Sequence, residues 1–130
     1  MTNLFDIKGN VTVITGGTGV LGRAIARYLA LNGAYVIILG RKESTGAEIV
    51  ADTREAIAAE KASGSIEFLK TDVMEREVLE NNLQYIIENY GRVDTLLNAA
   101  GGNMPGAVIN PDKTFFDLDP SQFRRVLDLN

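Results

Sequence analysis

The chain contains no cysteine and no histidine. The first absence excludes a disulfide framework and thiolate metal sites. The second removes the usual imidazole base and the commonest metal ligand. With no evident carboxylate cluster either, no metal site is expected. No apolar run approaches the roughly 20 residues that cross a bilayer as a helix. The first residues, Met1-Thr2-Asn3-Leu4-Phe5-Asp6, show neither the basic nor the apolar stretch of a secretory signal, so a cytoplasmic location and no membrane partner are expected. A basic surplus is also missing. Thirteen Lys and Arg stand against 17 Asp and Glu, a net charge of −4, which argues against a nucleic-acid partner. What remains is ordinary: 130 residues, 45% apolar and 23% charged, enough for one domain with a real core.

Into this composition is set one unusual run, Thr15-Gly16-Gly17-Thr18-Gly19-Val20-Leu21-Gly22. It follows the apolar stretch Val11-Thr12-Val13-Ile14 and opens into a segment with helical spacing. Strand, tight glycine turn and helix together place a pyrophosphate on a helix N-terminus, where free N–H groups and the positive end of the helix dipole meet the negative charge. Gly17, Gly19 and Gly22 satisfy G-x-G-x-x-G, while Gly16, Gly19 and Gly22 satisfy G-x-x-G-x-x-G. The competing reading is a plain strand–helix turn.

The remaining chain alternates strand and helix. Residues 11–15 read as a strand buried on both faces. The next helix carries Leu21, Ala24, Ile25, Tyr28 and Leu29 on one face and stops at Gly33. Residues 34–39 form a second strand. Residues 44–62 are helical, with Ile49, Val50, Thr53 and Ile57 inward, until Ser63-Gly64 breaks them. Residues 66–69 form a short third strand. Residues 75–90 form a helix with Leu79, Leu83, Ile86, Ile87 and Tyr90 on one stripe, ended by Gly91. Residues 94–98 form a fourth strand. The pattern β-α-β-α-β-α-β predicts right-handed crossovers, a parallel sheet of order 3-2-1-4 and an α/β class, the first half of a doubly wound sheet with helices on both faces. Residues 101–120 hold all three prolines and no clear period, and read as a long loop. A further helix begins at Pro120-Ser121. Phe115, Phe116 and Phe123 are expected in core or subunit contacts.

In order along the chain, these motifs resemble the short-chain dehydrogenases/reductases, whose fold is Rossmann-type. The resemblance covers essentially all 130 residues and implies one NAD(P)-binding domain over 1–130, incomplete at its C-terminus. Thr15 to Gly22 resembles the family's glycine-rich cofactor loop, so Gly16, Gly17, Thr18, Gly19, Val20, Leu21 and Gly22 are expected to hold the pyrophosphate and adjoining ribose. Thr71-Asp72-Val73 resembles the Asp-Val pair that contacts adenine, although Asp72 also suits a helix N-cap. Asn98-Ala99-Ala100-Gly101 resembles the NNAG element, with alanine for the second asparagine. It is expected to bring backbone close to the cofactor ribose, the alternative being a tight strand exit. Asn130 falls where the family carries the asparagine of its Asn-Ser-Tyr-Lys tetrad, and would bind a water or carbonyl in a proton relay unless it is plain helix surface. Gly102, Asn103 and Met104 are candidate substrate contacts. After the second strand, Gly40 stands where an acidic residue would bind a ribose 2′-hydroxyl, and Arg41 follows. Arg41 suits a 2′-phosphate, so NADP is favoured over NAD.

Three segments, TGGTGVLG, LNAAGGNMPGA and FFDLDPSQFRRVLDLN, most resemble the branch of D-mannonate (fructuronate) oxidoreductases. The implied activity is hydride transfer between a nicotinamide cofactor and a hydroxyl/carbonyl substrate, a small molecule such as a sugar acid, by a homo-oligomer when complete. Two departures stand beside this. The middle glycine is Gly19 rather than residue 20, a spacing shared with extended sugar-nucleotide epimerases. The catalytic tyrosine and lysine, four residues apart in the family, are also missing. Tyr28, Tyr35, Tyr85 and Tyr90 are followed at that distance by Asn32, Leu39, Asn89 and Asp94, and the tetrad serine would come after residue 130. The chain is therefore expected to be the inactive, cofactor-binding N-terminal part of a longer reductase. The alternatives are a non-catalytic dinucleotide-binding module and an epimerase fragment.

Overall fold

The computed structural model describes residues 3–130, which form two compact units, one ending at Ala99 and the other running from Ala100 to Asn130. The first contains β1 (Val11–Thr15), α1 (Val20–Leu31), β2 (Tyr35–Gly40), α2 (Glu43–Glu60), β3 (Ser65–Lys70), α3 (Arg76–Tyr90) and β4 (Thr95–Asn98). Its four strands make one sheet of order β3-β2-β1-β4, every pair parallel. The α/β class and the strand order expected from the alternation are both present.

Alternate residues of the central strands build two cores. Ile14, Val36, Ile38 and Ile66 pack with Ala26, Ala30 and Ile49 of α1 and α2. Val11, Val13, Ile37 and Leu39 pack with Ile86 of α3. Strands covered on both faces need side chains that are apolar in both directions, which explains the run Val36 to Leu39 in β2 and the Val/Ile residues of β1, where Thr12 and Thr15 are buried as well.

The helices correct the expected faces. In α1 the buried stripe is Gly22, Ala26 and Ala30, while Leu21 and Tyr28 are 70% and 66% exposed and Ala24 is exposed as well. Residues four apart share a helix face, and a face of Gly and Ala lets the helix lie close on the sheet. Ile25 and Leu29 do pack against the core, half-buried as expected, whereas Leu21 and Tyr28 were expected beside them because size was read as burial. In α3, Ile86 is buried with Leu79 and Tyr90 packed beside it, but Leu83 and Ile87 face solvent. Helix α2 ends at Lys61, in the left-handed region at φ 52, just ahead of the expected break. Gly91 closes α3 at φ 80, a conformation that glycine adopts without steric cost.

One polar clamp fixes the entry of β1. The Asp94 carboxylate accepts the Val11 N–H at 2.8 Å and the Arg92 Nε–H at 2.8 Å. These bonds hold its carboxyl below the usual carboxylate range, the Val11 amide most of all.

The second unit holds short 3₁₀ turns at Pro105–Ala107 and Phe115–Asp117 and the helix α4 (Pro120–Leu129). The Asp119 carboxylate caps α4 by accepting the Ser121 and Gln122 amides. Gln122 in turn accepts the Gly106 N–H at 2.7 Å. Phe115 and Phe116 meet edge to face yet are 66% and 93% exposed, and Phe123 is 46% exposed. None lies in a core, because a unit this short buries only Gly106 among the described residues.

Candidate dinucleotide site

The carboxyl ends of all four parallel strands lie at one edge of the sheet. The chain runs outward from β1 through β2 to β3, then returns to β4 on the other side of β1. That reversal is the place where open α/β sheets bind ligands.

The glycine loop leaves β1 at this edge, and its glycines are glycine for different reasons. Gly16 has φ +64, which disfavours any side chain. Gly17 lies on β2, where a Cβ would stand 2.5 Å from Ile38 Cβ. At Gly22 a Cβ would stand 2.5 Å from the Gly16 carbonyl oxygen. Backbone conformation at Gly16 and internal packing at Gly17 and Gly22 therefore account for these three. Gly19 is different. It is the N-cap of α1 at φ −71 and ψ 168, which any residue adopts. It is exposed, and its Cβ would find only the Gly16 oxygen, at 3.3 Å. An N-cap position ordinarily holds Ser, Thr, Asp or Asn, whose oxygen accepts a free helix amide. Here no side chain caps the helix. The N–H groups of Val20, Leu21 and Gly22 have no acceptor among the described residues. The loop thus presents bare backbone donors at a helix N-terminus, flanked by the exposed side chains of Val20 and Leu21.

Arg23 fixes this loop from behind. Its Nη2 donates to the Thr18 carbonyl at 2.8 Å and its Nε to the Gly19 carbonyl at 3.4 Å. The Gly17 amide donates to the Leu39 carbonyl at 3.1 Å, tying the loop to β2. No motif pointed to Arg23, since its bonds go to backbone carbonyls that any sequence supplies.

At the end of β2, Gly40 lies under the Thr18 side chain. Arg41 follows and is exposed, with no hydrogen bond or ion pair from its guanidinium among the described residues. At the end of β3, buried Thr71 donates its amide to the Gly40 carbonyl at 2.7 Å and accepts from Asn82 Nδ2 at 2.7 Å. Asp72 and Val73 are half-buried beyond it. Asp72 is not the N-cap of α3, which is Glu75. Its Oδ1 instead accepts the Met74 amide at 3.0 Å and shapes the turn before the helix. At the end of β4, Asn98 pairs in register with Thr15, and the Ala99 amide donates to the Thr15 carbonyl and hydroxyl at 3.1 and 3.2 Å.

Ala100 and Gly101 belong to the second unit. There the Asn130 side chain accepts the Gly102 N–H at 3.2 Å and donates to the Gly102 and Val126 carbonyls at 2.9 and 2.8 Å. A Cβ on Gly101 would stand 2.6 Å from Asn130 Oδ1. Asn130 is thus an exposed residue whose side chain is bonded to the Gly102 backbone.

A family model described as short chain dehydrogenase matches residues 10–130. The uncharacterized oxidoreductase UxuB of Bacillus subtilis is 37% identical over 133 residues, covering 96% of this chain and 46% of that protein. The 3beta-hydroxysteroid dehydrogenase of Mediterraneibacter gnavus is 35% identical over 126 residues, covering 97% and 41%. A crystal structure of a provisional D-mannonate oxidoreductase from Haemophilus influenza, with bound NAD, aligns with a TM-score of 0.81 at 28% identity and covers 95% of this chain and 46% of that one. The chain spans a little under half the length of the curated relatives it matches. With the family model spanning nearly all of it, on this fold and this glycine loop, the chain belongs to the short-chain dehydrogenase family.

Proposed function

We propose that this chain is the cofactor-binding portion of an NAD(P)-dependent oxidoreductase that moves a hydride between the nicotinamide and a hydroxyl/carbonyl pair on a small molecule. The observation that carries the reading is Gly19. Backbone conformation demands no glycine there, packing presses on the position only through the Gly16 carbonyl oxygen at 3.3 Å, and its lack of a side chain leaves the α1 amides open to an outside anion. A dinucleotide pyrophosphate fits that demand. When bound, the cofactor supplies or accepts the hydride.

The residues of the chain bind and orient. Gly16 through Gly22 hold the pyrophosphate and adjoining ribose, Arg41 meets the 2′-phosphate of NADP, and Asp72 and Val73 meet the adenine. Asn98, Ala99, Ala100 and Gly101 bring backbone close to the cofactor ribose. Asn130 keeps the family's place in the proton relay. Hydride transfer to a carbonyl also needs an acid for the developing alkoxide. No Tyr-x-x-x-Lys pair lies within residues 1–130, so these residues alone turn nothing over. The likeness to a provisional D-mannonate oxidoreductase supports a sugar acid as substrate for the whole protein. The likeness to a hydroxysteroid dehydrogenase makes a sterol the comparison compound. The exposed rings of Phe115 and Phe116 support association of copies. Among the described residues no helix is long and apolar enough to cross a membrane, which is compatible with a cytoplasmic setting.

The test is a calorimetric titration of NADPH and NADH into the protein and its Gly19→Val variant. Valine at 19 presses on the Gly16 carbonyl oxygen alone and covers the open amides. Binding should fall at least about tenfold in a variant that still melts cooperatively, the loss of roughly one charge-assisted hydrogen bond or more. Unchanged affinity for both dinucleotides removes the loop from the site.

A further inference from the structure

The dinucleotide reading raises the question of what selects between two dinucleotides, and the inference drawn here rests on that reading. The end of β2 is occupied by a contact between Thr18 and Gly40. A Cβ built on Gly40 stands 2.6 Å from Thr18 Cγ2, 2.7 Å from its Oγ1 and 3.2 Å from its Cβ. Threonine is branched at Cβ, so three staggered positions hold Cγ2, Oγ1 and one hydrogen. Both heavy atoms now face Gly40. Turning the side chain by one well swings one of them away and leaves the other, so no rotamer clears the space.

The backbone cannot move aside cheaply either. The Thr18 and Gly19 carbonyls are held by Arg23, the Gly17 amide is bonded to Leu39, and Gly17 itself lies on Ile38. Loop and strand end are one packed unit, and position 40 admits no side chain while Thr18 is present.

We propose that Thr18 is a specificity-determining residue. Its branched side chain closes position 40 to the carboxylate that would hold a ribose 2′-hydroxyl, and leaves the end of β2 to Arg41 and a 2′-phosphate. Selection is therefore a property of the pair. A carboxylate at 40 disrupts the loop while Thr18 stands over it. With Thr18 gone, the same carboxylate has room to accept the 2′-hydroxyl and to repel the 2′-phosphate.

The experiment compares the unchanged protein with Thr18→Gly, Gly40→Asp and the double variant. It reads the melting temperature without ligand and the affinities for NADH and NADPH. Gly40→Asp alone should melt about 5 °C lower, as an overpacked site does, and lose at least about tenfold in affinity for both dinucleotides. The double variant should melt within about a degree of Thr18→Gly and bind NADH at least about tenfold more tightly than NADPH. A Gly40→Asp variant that prefers NADH at an unchanged melting temperature overturns the proposal. So does a double variant no better than Gly40→Asp. Should Gly40→Asp fail to fold, Gly40→Ala with and without Thr18→Gly reads the same steric coupling through melting alone, and additive effects overturn it. If the folded, unchanged protein binds neither dinucleotide, the reading of the site fails and the proposal with it. Binding of both, with additive variants, sinks the proposal and spares the reading.

Discussion

Arg41 stands exposed at the end of β2 with no partner for its guanidinium among the described residues. An arginine so placed keeps all its donors for a ligand. Arg41→Ala should weaken NADPH binding by about 1.5–3 kcal/mol, the range of a hydrogen bond to a charged group, and NADH binding by much less. Paired titrations read the difference, and equal losses remove Arg41 from a 2′-phosphate site. At this scale the sequence was readable where a residue type carries its own reason. The glycine loop is the example, because few environments other than tight turns and close backbone approach require glycines at that spacing. Arg23 and the Thr18–Gly40 contact were not readable. Arginine bonded to carbonyls leaves no trace in residue type, and a glycine beneath a threonine looks like any other glycine. Asn130 was legible as a position, but its bonds to Gly102 depend on how residues 100–130 fold.

Among the elements, Asp94 joins β4 to the start of β1. Its carboxyl is held below the usual range by the Val11 amide and then by Arg92. The sign follows from linkage. A carboxyl whose pKa is lower in the folded than in the unfolded state adds stability above the ordinary carboxylate value. That stability is lost as pH falls through the lower, folded value. Asp94→Asn should therefore lower the melting temperature at neutral pH, and the gap should close below about pH 4. A gap that stays constant between pH 7 and pH 3 contradicts the clamp. The strands were legible to within a residue or so of their ends: β1 and β2 because strands buried on both faces are rich in apolar residues, β3 and β4 because helix-breaking residues bound short apolar stretches. The helix faces were less so. Spacing identified α1 as a helix, but Gly22, Ala26 and Ala30 are buried while Leu21 and Tyr28 are exposed. Which apolar stripe is buried depends on how closely helix and sheet approach, and residue size alone does not decide it.

For the whole molecule, the order of strands and helices was fixed by alternation and by the right-handed crossover, and the sheet order β3-β2-β1-β4 agrees. Residues 100–130 were legible only as a loop and a helix, since their turns are held by side-chain bonds such as Gln122 to Gly106 and Asp117 to Thr114. The central claim is that the sheet edge carries a dinucleotide on the open amides of α1. Amide NMR spectra of the labelled protein, recorded while NADPH is added, test it most directly. The account predicts saturable shifts at Gly17 through Gly22, at Arg41, at Asp72 and Val73 and at Ala99, with the amides of the α2 and α3 midsections unmoved. Saturable binding that leaves the amides of residues 17–22 unshifted would contradict it.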